Sequence, residues 1–101
     1  VQGPVIEISS EWLAVGHVDE FSMAIPDRLS TNGRPWKLAW ASPALARRAL
    51  RDLQARGLGS LRVFAGREPE TTVDRILGNT SLMRFNDAVQ ARLDSNKQRL
   101  M

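Results

Sequence analysis

The stretch from residue 27 to residue 35, "DRLSTNGRP", concentrates the residues that turn a chain, and Asn32-Gly33 within it is the strongest hairpin signal in the sequence. On either side stand apolar, strand-forming runs, "FSMAIP" at 21–26 and "WKLAWA" at 36–41. The two should therefore pair antiparallel. Immediately afterwards Ser42-Pro43 offers a helix start. The serine oxygen can accept from a free backbone N–H, and proline at the first helical position has no N–H to leave unpaired. Leu45, Ala49, Leu50 and Leu53 form an apolar stripe, and Gly57 sits where a left-handed stop is wanted, so a helix is predicted over about 43–56. "LRVFAG" at 61–66 alternates like a further strand, completing a β-β-α-β order.

The flanks extend this unit. "PVIEIS" at 4–9 and "EWLAV" at 11–15 carry β-branched and aromatic residues and read as two short strands separated by Ser9-Ser10. Beyond residue 70, "TTVDRILGN" reads as a short helix ending at Gly78-Asn79, and Thr80 can cap a longer one. In that longer helix Leu82, Phe85, Val89, Leu93, Asn96 and Leu100 recur at spacings of three and four, a stripe facing a core that only the asparagine interrupts. The fold class expected is α+β.

Length and composition bound the function. A chain of 101 residues, 43% hydrophobic and 25% charged, has ordinary globular composition and is long enough for one core. It opens on Val1 and ends at Met101 inside an expected helix, so it is expected to be a segment of something longer. No run approaches the roughly 20 apolar residues of a membrane span, and the segment is read as soluble. Zero cysteines exclude disulfides, thiolate metal sites and a cysteine nucleophile within these residues, and leave the compartment undecided. Fourteen basic against eleven acidic residues give a net charge of +3 and a pI near 10.6. The basic residues are nevertheless dispersed. Arg47, Arg48, Arg51 and Arg56 share one helix with Asp52 and no interleaved aromatic, which reads as a solvated face rather than a nucleic-acid surface.

The polar residues that call for an explanation lie in "LAVGHVDEFSM" at 13–23, which holds the chain's single histidine, His17, and an aspartate two residues on, Asp19. An extended chain sends residues i and i+2 to the same side, so imidazole and carboxylate should point together, as a site or as a buried ion pair. A metal site is the weaker reading, because His17, Asp19 and Glu20 give at most three ligands, with the adjacent carboxylates on opposite faces. A serine triad has candidates in Ser9, Ser10 and Ser22 but no nucleophile-elbow pattern. Glu20 reads as structural. Gly16 reads equally as a β-bulge and as a place of close backbone approach. Trp12, Trp36 and Trp40 read as core rather than as walls of a substrate groove.

The string "EWLAVGHVDEF" at 11–21 closely resembles the segment of the protein-arginine deiminases in which a tryptophan-leucine strand leads into Gly-His-Val-Asp-Glu-Phe. The likeness continues through "LAWASP" at 38–43, "ILGNTSL" at 76–82 and "DSNKQRLM" from residue 94, in order and spacing, although Ser95 stands where the family usually has tryptophan. The loops at 27–35 and around Arg67 also differ. The resemblance implies a ββαβ module, plus additional helices, of an α/β propeller (pentein) catalytic domain, so that residues 1–101 would be a fragment of one such domain. It implies a hydrolase that converts peptidyl arginine to citrulline and ammonia through a covalent thiouronium intermediate. The cysteine nucleophile and a second aspartate would lie outside this segment, which should be inactive alone.

By the same resemblance His17 would be general acid and then general base, and Asp19 would bind the substrate guanidinium. Calcium enters by resemblance only, with no ligands in this segment, since nothing in it looks like a calcium loop. The partners implied are arginine-bearing proteins or peptides and the remainder of the domain, with no nucleic acid and no membrane; a homodimer stays open. A cytoplasmic location is expected. Two alternatives remain: another guanidine-modifying pentein acting on free arginine or agmatine, and a non-catalytic binding or structural module.

Overall fold

The computed structural model describes residues 5–101, so Pro4 of the expected strand 4–9 lies outside the described residues. The described chain sorts into two units, one made of residues 5–41 with Arg92–Met101, the other of Ser42–Ala91. Both mix helix and strand, as expected of an α+β chain. No described helix is long and apolar enough to cross a membrane.

In the first unit the hairpin forms as the sequence demands. Strand β1 (Ser22–Pro26) pairs antiparallel with β2 (Trp36–Trp40), in register from Ser22 opposite Trp40 to Pro26 opposite Trp36. The connecting loop is long enough to need its own supports. Asp27 N–H donates to Pro35 O at 2.8 Å, and Asn32 Oδ1 accepts from Arg34 N–H at 3.0 Å across Gly33, whose φ is +77°. Asn32-Gly33 is thus a side-chain-stabilised turn inside a wider loop.

Residues 5–15 form no strand, contrary to expectation. β-branched composition favours a strand only where a partner completes the ladder, and here the backbone groups are taken locally. Leu13 N–H donates to Ser10 O at 3.1 Å, and Trp12 Nε1–H donates to Ser9 O at 2.9 Å. Ser9 is also bonded to the side chain of Asn96, Oδ1 accepting its N–H at 2.9 Å and Nδ2 donating to its carbonyl at 2.6 Å. Phe21, 4% exposed, packs between Trp12 (centroids 5.5 Å) and Trp40 (5.1 Å, edge-on). Trp12 and Trp40 are half-buried and pack on the core residue Phe21, which fits the expectation in part; Trp36 does not, being 48% exposed.

In the second unit α1 (Pro43–Ala55) carries both terminal devices that the sequence announces. Ser42 Oγ accepts from Leu45 N–H at 3.2 Å, and Gln90 Oε1 takes the adjoining Ala44 N–H at 2.9 Å. At the other end Gly57, φ +79°, donates to Gln54 O while Leu58 N–H donates to Leu53 O, the paired bonds of a Schellman stop. The expected strand 61–66 shrinks to β3 (Arg62–Val63), because Phe64 adopts φ +60° and ends it; β3 pairs antiparallel with β4 (Thr71–Thr72). Helix α2 (Val73–Gly78) follows, with Thr72 Oγ1 as its cap, and then α3 (Thr80–Leu100). Asn79 rather than Thr80 caps α3, its Oδ1 accepting from Leu82 N–H at 3.0 Å.

The order β-β-α-β is present, yet β3 joins β4 in a second two-stranded sheet. The stripe on α3 is only partly covered: Leu93 and Asn96 are buried, while Leu82, Phe85 and Leu100 are exposed, as is Leu45 on α1.

Candidate functional site

Gly16 sets up the site by taking φ +83°, a conformation that L side chains avoid, and thereby turns the chain just before His17. A Cβ there would meet nothing nearer than Ser10 O at 3.8 Å, so the dihedral, not crowding, calls for glycine. There is no strand at this point and therefore no bulge. His17 is extended (φ −98°, ψ 137°), and residues Val18–Glu20 wind into one 3-10 turn. The alternation that was to place His17 and Asp19 on one strand face does not apply here. The pair instead occupies a tight turn, His17 at its entry and Asp19 in its middle.

That turn is held by backbone bonds and by Glu20. Glu20 N–H donates to His17 O and Phe21 N–H to Val18 O, both at 3.2 Å. Glu20 Oε1 accepts from His17 N–H at 3.0 Å, reaching back over the turn. Glu20 bonds within the turn, to a backbone N–H, which fits its structural reading.

His17 and Asp19 are both exposed, and no hydrogen bond or ion pair joins their side chains. They do not form a buried ion pair. Asp19 and Glu20 both line an open groove of about 330 Å³, with Phe21, Ser22, Met23, Ala39, Trp40 and Ala41; His17 does not line it. An exposed carboxylate on an open groove can hold a cation, and an exposed imidazole two residues away can carry a proton to or from it.

The competing sites fare less well. Ser22 Oγ donates to Val18 O at 3.0 Å, within the turn's own backbone. Among the described residues no three of His, Asp and Glu are grouped to hold a metal ion. Of the α1 arginines, Arg47 donates to Met83 O (2.8 Å) and Asp87 (2.7 Å), and Arg56 pairs with Asp52 at 3.0 Å. The buried amide of Asn96 is the feature that sequence reasoning passed over. Its one trace there is a polar residue interrupting an apolar stripe.

Comparison with known proteins converges on one family. The model of the family described as protein-arginine deiminase (PAD) matches residues 1–101. The chain is 35% identical over 100 residues to protein-arginine deiminase type-3 of Mus musculus, covering 94% of this chain and 15% of that protein. It is 35% identical over 98 residues to the mouse type-4 protein, covering 96% of this chain and 14% of that protein. It is 32% identical over 102 residues to the type-4 protein of Homo sapiens, covering 99% and 15%. The chain thus spans about 15% of the length of the curated relatives it matches. With a family-wide match over its whole length, the chain belongs to the protein-arginine deiminase family.

Proposed function

We propose that this chain supplies two catalytic groups, His17 and Asp19, to a parent enzyme that converts peptidyl arginine to citrulline. One observation carries the proposal: within the Gly16–Phe21 motif both side chains are exposed and unbonded to each other, on a turn whose bonds are made by backbone and by Glu20. That neither side chain is committed to the other supports a role toward a ligand rather than a structural pair.

The substrate guanidinium stays charged near neutral pH and presents a planar fork of N–H donors. Asp19 accepts from that fork and, with a second aspartate from elsewhere in the parent, sets the guanidinium carbon against a cysteine thiolate, which this chain lacks. The thiolate sulfur bonds to that carbon. His17 protonates the departing nitrogen, ammonia leaves, and a thiouronium remains on sulfur. His17, now neutral, takes a proton from water as the oxygen adds to the same carbon. The C–S bond then breaks as the hydroxyl proton passes to solvent, giving citrulline, the thiolate and His17 protonated for the next turnover.

The β1-β2-α1-β3 order is what supports assigning the chain to a ββαβ module of a five-module propeller, within a single catalytic domain. The calcium requirement proposed for the parent would be met by ligands outside this chain. The fragment alone should be inactive. The test is citrulline release by the parent from an arginine peptide, from free arginine and from agmatine, with Asp19→Asn alongside. Release from the peptide that is lost in the variant supports the proposal; preference for a free guanidine would reassign the substrate.

A further inference from the structure

We infer that Asn96 is a positioning residue for the His17–Asp19 turn, acting through a two-point clamp on the backbone of Ser9. The inference rests on the site proposed above and adds to it a residue 77 positions beyond Asp19 in sequence.

Asn96 is 2% exposed, in a helix stripe whose other members are apolar. A buried amide is unfavourable unless both of its ends are bonded, and a leucine would suit the stripe better. Both ends are bonded, and to the same residue. Oδ1 accepts from Ser9 N–H at 2.9 Å, and Nδ2 donates to Ser9 O at 2.6 Å. One bond would leave a hinge, whereas two fix the rotation of the segment as well as its position. One helical turn on, Arg99 Nη1 donates to Glu7 O at 3.2 Å, a second tie to the same stretch.

One route leads from the clamp to the site. The carbonyl of Ser9 also accepts from Trp12 Nε1–H at 2.9 Å, and the Trp12 ring packs on Phe21. The N–H of Phe21 closes the 3-10 turn onto Val18 O, and its carbonyl accepts from Ala41 N–H at 2.8 Å, tying the end of the turn to the end of β2. The end of the turn therefore rests, through Trp12 and Phe21, on the segment that Asn96 pins.

The experiment uses the full-length parent with Asn96→Leu, and with Leu93→Ala as a control on the same helix. Leu93 is 1% exposed and makes no bond to Ser9, so its truncation loosens packing and leaves the clamp. Two quantities are read: kcat/KM for citrulline release, and deuterium uptake over residues 9–21. Asn96→Leu should raise that uptake and lower kcat/KM by about 10- to 100-fold, the scale of a misplacement near 1 Å. Leu93→Ala, at an equal or larger loss of Tm, should leave both close to wild type. Unchanged uptake over 9–21 in Asn96→Leu, or losses that track Tm alike in the two variants, would overturn the inference. Should Asn96→Leu not accumulate as folded protein, Asn96→Asp is read the same way, since it keeps the acceptor for Ser9 N–H and sets a second oxygen against Ser9 O. A wild-type parent that releases no citrulline would sink the deiminase proposal, and exchange at 9–21 would still decide the clamp.

Discussion

Gly16, His17 and Asp19 were legible in the sequence by identity, yet their geometry was not. The expectation of a shared strand face assumed an extended chain, and Gly16 at φ +83° breaks that assumption one residue before the histidine. A glycine between valine and histidine carries no local mark of a positive φ. Such marks come from turn partners, here the reach of Glu20 back to His17 N–H, a contact between two residues that strand alternation had set apart in role. The dihedral makes a prediction. Gly16→Ala has room for its methyl group but must hold an unfavourable φ, which should destabilise the parent by about 1–2 kcal/mol. A denaturation midpoint unchanged in that variant would show that the turn can relax without the left-handed residue.

At the scale of elements, the hairpin and α1 could be read because their signals are local. Turn formers lie between β1 and β2, serine-proline opens α1, and glycine closes it with the bonds of a Schellman stop. The strands expected at 4–9 and 11–15 rested on β-favouring composition and on the Ser9-Ser10 break between them, with no signal for a pairing partner. The described residues there give their backbone bonds to turns and to Asn96 instead. β3 was read too long for a third reason: Phe64 takes a positive φ that its residue type does not announce. The cap of α1 can be tested on its own. Ser42→Ala removes the acceptor for Leu45 N–H and should cost about 1 kcal/mol of local stability, seen as faster native-state exchange at Leu45. Adding Gln90→Ala should speed exchange further, at Ala44, because Gln90 Oε1 holds that neighbouring N–H. Equal exchange in the single and double variants would mean that Gln90 adds nothing to the cap.

At the scale of the whole molecule, many large apolar side chains lie at the surface: Met23 is 65% exposed, Trp36 48%, Leu45 60%, Phe64 62% and Phe85 62%. Patches of that kind belong to interfaces, and in the parent proposed above the remainder of the catalytic domain would cover them. In hydroxyl-radical footprinting of the parent, Met23, Trp36 and Phe85 should be modified far less than their exposure here implies. Full modification at all three would mean that these faces stay open to water.

The central claim is that His17 does chemistry. It is tested most directly by citrulline release from an arginine peptide, compared between the parent and its His17→Ala variant with calcium present. General acid and base work contributes about 10²- to 10⁴-fold. Because no side-chain bond of His17 holds the turn, which Glu20 and backbone bonds close, the variant should fold as the parent does and lose activity on that scale. A folded variant that releases citrulline at the parent's rate would contradict the account.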